Sequence, residues 1–253
     1  MRYLIKLSYN GNYYHGWQKQ PNTSKTIEEE IENKLYIILR KKINIIGASR
    51  TDSGVHANIM FAHFDYNSLI EKKWFLYKIN LLISSNINIK NIYQIKDNIH
   101  ARYNAKYRIY KYYISYFKYP FLNKLYWYWY YNKNINIKSM NKAIRIIINR
   151  KYFNLFTIKD RNSSKNKQKY KCNIYYAYWI KYKNNILFKI KSNRFLRKMI
   201  RIIISICIEI GIKKKTINEL INEIKNNNIK YNINVPTYGL YLNKIKYNKN
   251  IYL

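Results

Sequence analysis

The stretch Gly47-Ala48-Ser49-Arg50-Thr51-Asp52-Ser53-Gly54-Val55-His56-Ala57 is chemically unlike the rest of the chain. The 253 residues include 30 Tyr and 48 Lys or Arg, but only 6 Gly and 12 Asp or Glu. Glycine lets the backbone approach a neighbour closely or take a positive φ, and this stretch contains two of the six. An Arg-x-Asp pair alone is typical of a surface turn with a local ion pair, so a function has to be argued from the whole string.

The formal net charge of +36 points to a polyanionic partner, most simply a nucleic acid. The abundance of Lys, Asn, Ile and Tyr is also what an AT-rich genome gives to any protein. The charge therefore fits two interpretations, a nucleic-acid-binding surface and a surface set by mutational drift. The many tyrosines have the same two interpretations, as base-stacking side chains or as ordinary strand and core residues.

The remaining composition predicts a cytoplasmic protein without a metal or a cofactor. Residues 1–6 alternate like a strand rather than a signal peptide. The longest apolar run, residues 202–210, is too short to cross a membrane, so no membrane association is expected. Cys172 and Cys207 lack metal-ligand spacing and are predicted to be buried free thiols.

The N-terminal part of the chain predicts the order strand, helix, strand, strand, helix, strand. Strand patterns occur at residues 2–9, 43–48, 58–66 and 87–95. Helical patterns occur from Thr26, a predicted cap, to Leu39 and again over residues 74–83. We attribute Glu28, Glu29, Glu30 and Glu32 to the favourable interaction of anions with a helix N-terminus. The order is that of a ferredoxin-like unit.

Residues 195–210 are predicted to form a buried helix, because they are apolar around most of the circumference. Its polar positions Arg197, Arg201, Ser205 and Glu209 are spaced by four and form one stripe. A buried arginine needs a partner. Arg201 either pairs within the stripe or with a backbone carbonyl, or it lines a cleft and meets a phosphate or an acid, for which Asp52 is the natural candidate.

Several stretches, taken in order, resemble the TruA-type tRNA pseudouridine synthases. They are Tyr13 to Gln20, Arg50 to His56, His100 to Ala105, Arg108-x-Tyr110-x-Tyr112, Asn193-x-Phe195-x-x-x-Met199-x-Arg201 and Gly239-Leu240-Tyr241-Leu242. Asn10, Ser49 and the pair Pro236-Thr237 stand where that family usually has Asp, Gly and Ala. The resemblance covers nearly the whole chain.

The resemblance implies an α+β fold of two ferredoxin-like halves, residues 1–103 and 104–253, with joined, mainly antiparallel sheets and a central active-site cleft. It implies an isomerase that converts uridine to pseudouridine in the anticodon arm of tRNA, at tRNA positions 38, 39 and 40. It also implies a homodimer on which one tRNA spans both subunits. No cofactor is implied.

The same resemblance assigns the site residues. Asp52 is the nucleophile or charge stabiliser, as a carboxylate is in glycosidases, and Arg201 is the cation that keeps it ionised. Tyr110 is a base or proton relay and a stacking platform. Arg50 fills the space vacated by a flipped nucleotide and binds phosphate, and Leu240 packs against the target base. By sequence alone, Tyr110 and Leu240 fit ordinary core positions equally well.

Two other functions stay open at this point. The chain is alternatively a basic RNA-binding or RNA-chaperone protein that kept the fold and lost catalysis, or a basic protein associated with the ribosome. The intact string from Arg50 to Asp52, with matching Tyr110 and Arg201, favours the enzyme.

Overall fold

The fold belongs to the α+β class, as the sequence predicts. The computed structural model describes residues 1–130, 135–158 and 167–253. Within these ranges the strands are β1 (Arg2–Tyr9), β2 (Ile46–Gly47), β3 (His56–Asp65), β4 (Ile87–Ile95), β5 (Tyr107–Ser115), β6 (Trp127–Tyr128), β7 (Ile174–Tyr182), β8 (Asn185–Ser192) and β9 (Leu240–Lys246). The helices are α1 (Ile27–Leu39), α2 (Lys72–Leu82), α3 (Ile137–Ile148), α4 (Met199–Gly211) and α5 (Ile217–Lys225).

The chain divides into two compact units. The first contains Met1–Tyr110 and Leu240–Leu253, and the second contains Lys111–Gly239. The sequence instead predicts two ferredoxin-like halves that meet between residues 103 and 104. The compact units are a different way of dividing the chain, so the two-half architecture stays a prediction. The polar segment at residues 159–171 is predicted as a loop. Its first part, residues 159–166, lies outside the described residues, and Lys167–Tyr170 forms a 3₁₀ turn.

In the first unit the strand order is β4-β1-β3-β9-β5, with β2 paired to β3. Strand β1 pairs antiparallel with both β3 and β4, so Leu4 and Ile5 are completely buried. Helix α1 is capped, as predicted, by Thr26, whose side chain accepts a hydrogen bond from the Glu29 amide. The element order from β1 to β4 is the predicted strand, helix, strand, strand, helix, strand, and it places the Asp52 stretch between β2 and β3.

The glutamates of α1 do more than complement the helix dipole. Glu30 accepts hydrogen bonds from the Tyr14 hydroxyl (2.6 Å) and the Ser84 amide (2.8 Å). Glu32 is buried and accepts from the Ile45 amide at 2.8 Å. These carboxylates tie neighbouring loops to α1, which sequence reasoning based on helix termini alone did not predict.

In the second unit β8 lies between β5 and β7, and β6 pairs with β5. Helix α3 packs against both α4 and β7. Helix α4 is buried on nearly every side, as its apolar composition predicts. The predicted helix start at residue 195 is wrong, because Lys198 is in the left-handed conformation (φ 58°) and the helix begins at Met199. Arg197 therefore precedes the helix and is not part of its polar stripe.

The polar stripe of α4 binds the backbone of one segment without regular secondary structure, residues 232–235. Ser205 Oγ donates to the Ile233 carbonyl at 2.8 Å, and Glu209 Oε1 accepts from the Ile233 amide at 3.1 Å and from the Asn232 amide. Buried polar side chains require such partners. The stripe thus fixes the chain that leads to β9.

Both cysteines are free and buried, as predicted, and burial raises the pKa of the Cys172 thiol to about 11 and that of Cys207 to about 12. No helix among the described residues is long and apolar enough to span a membrane.

Candidate active site

The Asp52 stretch is a loop held at both ends by strands. Where β2 ends, the Ala48 amide donates to the Phe61 carbonyl of β3 at 2.8 Å. A tight turn follows, in which the Val55 amide donates to the Asp52 carbonyl at 3.1 Å and Gly54 has φ 78°. Asp52 itself is half-buried. The strand-loop-strand setting predicted from the sequence is confirmed.

The aromatic segment at Tyr13 to Gln20 forms backbone hydrogen bonds with this loop. The Trp17 amide donates to the Thr51 carbonyl (3.1 Å), and the Tyr14 carbonyl accepts from the Gly54 amide (3.3 Å). Tyr14 and Trp17 are buried, whereas Tyr13 is 67% exposed. Tyr14 and Trp17 are therefore packed side chains whose backbone groups fix the loop.

Gly16 makes this contact possible. It has φ 96°, in the region that favours glycine. A Cβ at this position would lie 2.6 Å from the Thr51 carbonyl oxygen. Any side chain would therefore push the aromatic segment away from the residue that precedes Asp52.

The Tyr110 side chain lies at the same loop. Its hydroxyl is 3.0 Å from Ser49 Oγ, and the residue is 5% exposed. Burial raises the pKa of Tyr110, the hydrogen bond with Ser49 and the charge of Arg108 lower it, and the charge of Asp52 raises it. The negative charge of Asp52 therefore acts on the Tyr110 hydroxyl. Ser49, which replaces the usual glycine of the resembling family, is the residue whose side chain bonds to Tyr110, and sequence reasoning missed this role.

Arg108 is a second residue that the sequence did not identify as part of the site. It is 5% exposed, two positions before Tyr110 on β5, so both side chains project from the same strand face. Its Nη2 donates to the Ala48 carbonyl (2.7 Å) and to the Arg102 carbonyl (2.6 Å), and its Nε donates to Ala48 as well (3.3 Å). The only sequence signal was the Arg-x-Tyr spacing, because 48 basic residues hide one that is buried.

Two further predicted residues lie in the first unit. Arg50 is on the loop and exposed. Leu240 begins β9 and is 5% exposed. The next residue, Tyr241, is the parallel-strand partner of His56, where the Asp52 loop enters β3, and their rings stack with centroids 4.6 Å apart. The first unit thus contains Asp52, Arg50, Tyr110 and Leu240.

Arg201 lies in the second unit, on α4. Its Nε and Nη2 donate to the Val235 carbonyl at 2.9 and 2.7 Å, and Nη2 also reaches Asn234 Oδ1 at 3.3 Å. The Tyr112 hydroxyl donates to the adjacent Pro236 carbonyl at 2.8 Å. The interpretation that Arg201 binds a backbone carbonyl is confirmed. Its pairing with Asp52 stays a prediction.

Within residues 1–130, 135–158 and 167–253, no three His, Cys, Asp or Glu side chains are grouped so as to hold a metal ion.

Three proteins of one family are similar to this chain over nearly its whole length. The chain is 39% identical over 247 residues to the tRNA pseudouridine synthase A of Azobacteroides pseudotrichonymphae, an alignment that covers 97% of this chain and 96% of the relative. This chain belongs to the tRNA pseudouridine synthase A family. The corresponding enzyme of Bacteroides thetaiotaomicron is 35% identical over 255 residues (99% of this chain, 92% of the relative), and that of Porphyromonas gingivalis is 30% identical over 257 residues (100% and 99%).

The family model described as tRNA pseudouridine synthase matches residues 143–248. The match includes α4 with Arg201 and the start of β9 with Leu240. A tRNA pseudouridine synthase is an isomerase, so the enzyme interpretation of the sequence is confirmed.

The hydrogen bonds of Arg108 generate a prediction about this enzyme. Arg108→Lys retains the charge, but one ammonium group cannot reproduce the planar fork that joins Ala48 to Arg102. We expect a destabilisation of roughly 1–3 kcal/mol from the poorly satisfied carbonyls and, since small misplacements of reacting groups are costly, a turnover at saturating tRNA that is roughly 10- to 100-fold lower. Urea denaturation and pseudouridine formation measure the two effects.

Arg2→Lys is the matched control. Arg2 Nη1 donates to the Ile99 carbonyl at 2.9 Å, three residues before the Arg102 carbonyl that Arg108 binds, and none of the hydrogen bonds of Arg2 reaches the Asp52 loop. We expect it to lose stability and to retain turnover. Equal losses of turnover in both variants would show that Arg108 acts only through stability.

Proposed function

We propose that this protein isomerises uridine to pseudouridine at positions 38, 39 and 40 of the tRNA anticodon arm, with Asp52 as the nucleophile or charge stabiliser. The observation that carries the proposal is the half-buried Asp52 on a loop fixed at both ends, with the buried Tyr110 hydroxyl at the same loop. A carboxylate on a loop that also binds a buried tyrosine through Ser49 suits chemistry at a sugar carbon.

The reaction breaks the N1–C1′ bond of uridine, rotates the uracil and joins C5 to C1′. Positive charge develops at C1′ as the glycosidic bond breaks, and a carboxylate stabilises or traps it. The Asp52 carboxylate has this role. When the new bond has formed, one proton leaves C5 and N1 holds one proton, so the product is an isomer of the substrate.

Arg201 is assigned the role of the cation that favours the ionised form of Asp52. This assignment rests on the family resemblance, while Nε and Nη2 of Arg201 bind the Val235 carbonyl. Arg50, exposed on the same loop as Asp52, is free of core packing and suited to bind phosphate and to fill the space left by the flipped nucleotide. Leu240 packs against the target base.

Asp52→Ala tests the central assignment. We expect release of tritium from C5-labelled uridine in tRNA to fall to background, while the affinity for tRNA stays within a few-fold of wild type, because phosphate contacts supply most of the binding free energy. Arg201→Ala should lower the rate strongly. Glu219→Ala is the control, since Glu219 is an exposed capping residue of α5.

Glu30→Ala would be a poor control, because the Glu30 carboxylate accepts a hydrogen bond from Tyr14, whose carbonyl binds the Asp52 loop. Retained label release in Asp52→Ala would refute the role of Asp52. Wild-type protein that binds tRNA and never releases label would instead support the RNA-chaperone alternative.

Tyr110 is assigned the proton relay near C5 and the stacking platform. Because burial raises its pKa, the hydroxyl is protonated at neutral pH and is not an anionic base in the free enzyme. We expect the rate of Tyr110→Phe to be lower than wild type by the same factor at every pH from 6 to 9. A wild-type rate that rises through this range, with a flat profile for the Phe variant, would instead identify Tyr110 as a base.

The homodimer implied by the family resemblance is part of the proposal. Its measurement is the molar mass in solution, which we expect to be twice the 31.1 kDa of the chain. A mass of one chain in the presence and absence of tRNA would refute it.

A further inference from the structure

The β7–β8 hairpin of the second unit has one apolar face and one face of tyrosine and lysine. Ala177 and Trp179 on β7 and Phe188 on β8 are buried, and α3 packs against β7. The alternate positions belong to the opposite face, since side chains alternate along a strand. Those residues are Tyr176 and Tyr178 on β7 and Lys189 and Lys191 on β8, here called the Tyr–Lys face.

The strand register places each lysine of this face directly opposite a tyrosine. Tyr176 pairs with Lys191 and Tyr178 pairs with Lys189. All four residues are half-buried. Residues 174–192 contain four lysines and no acidic residue. Two of these four lysines, Lys189 and Lys191, belong to the Tyr–Lys face, and the hairpin contains no acid to offset their charge, whereas a surface that only meets water is best served by a mixture of both signs.

The two ammonium groups are held over aromatic rings. Lys189 Nζ lies 5.4 Å from the centroid of Tyr176 and 5.9 Å from that of Tyr178. Lys191 Nζ lies 5.9 Å from Tyr176 and 5.2 Å from Tyr175. Such cation–π contacts orient a side chain that would otherwise have many rotamers to lose on binding.

The charge of Lys189 is stable in this setting. Burial lowers its pKa, but the hydrogen bond to Tyr178 and the neighbouring tyrosines outweigh that effect, so the pKa lies above its ordinary value. An ordered pair of cations beside tyrosine rings matches two needs of RNA recognition, neutralised phosphates and aromatic contact with sugars or bases.

We propose that the Tyr–Lys face is a binding surface for the phosphate backbone of tRNA. The inference rests on the proposed function in one respect only, that tRNA is the substrate. It adds a defined part of the second unit to the tRNA-binding surface, and it attributes a functional role to two of the many lysines, the rest of which the AT-rich composition explains equally well. Polyanion binding follows from the ordered cations, and the tRNA is the polyanion that the family acts on.

Lys189→Gln with Lys191→Gln tests the proposal in the full-length protein. We expect the Kd for unmodified tRNA, measured by fluorescence anisotropy, to rise about tenfold at physiological salt. The slope of log Kd against log salt should fall by about 1.4 to 1.8, since each lost phosphate contact contributes about 0.7 to 0.9. A Kd and a slope unchanged from wild type would overturn the proposal.

Lys72→Gln with Lys78→Gln is the matched control on α2. Lys72 Nζ lies 5.9 Å from the ring of Tyr93, and Lys78 Nζ lies 5.9 Å from that of Tyr77, so the same charge and the same kind of contact are lost. We expect little change in Kd for this pair. An equal rise in Kd for both pairs would show that tRNA responds to total charge alone, and would overturn the proposal.

Lys189→Arg with Lys191→Arg separates binding from hairpin stability, because arginine retains both the charge and the aromatic contact. We expect its Kd to lie within about twofold of wild type. A loss as large as that of the Gln pair would assign the effect to a disturbed hairpin instead. Binding needs no turnover, so these results are independent of the outcome for Asp52→Ala.

Discussion

The position of Asp52 depends on backbone hydrogen bonds that fix its loop from two directions. The Trp17 amide holds the Thr51 carbonyl, and the buried guanidinium of Arg108 holds the Ala48 carbonyl. A carboxylate on a surface loop would move with the loop and be fully hydrated. Here the backbone before Asp52 is bound by the amide of the buried Trp17 and by the side chain of the buried Arg108, so the scaffold around the loop positions it.

The second unit uses the same device. Arg201, Ser205 and Glu209 are spaced by four on α4, and each bonds to the backbone of residues 232–235. A buried polar group costs free energy unless it is paired, and a segment outside helices and strands has carbonyls and amides to offer. The stripe and the segment thereby satisfy one another within the second unit.

Several of the few acidic residues of this chain have structural roles. Glu30, Glu32 and Glu209 accept backbone or tyrosine hydrogen bonds in the interior or at its border. Acids with these structural roles do not neutralise the outer surface. The 48 bases far outnumber the 12 acids, and aromatic rings such as that of Tyr176 lie beside some of the cations.

The sequence by itself determined the α+β class, the strand-loop-strand setting of Asp52 and, through its resemblance to a family, the enzyme class. These features follow from local periodicity and from short strings such as Arg50 to His56, which lie next to one another in the chain. Only the tertiary structure decided that Ser49 meets Tyr110, that Arg108 holds the Asp52 loop and that α4 begins at Met199. The physical reason is that a hydrogen bond between residues about sixty positions apart depends on strand order and register, and no local pattern of residues specifies either.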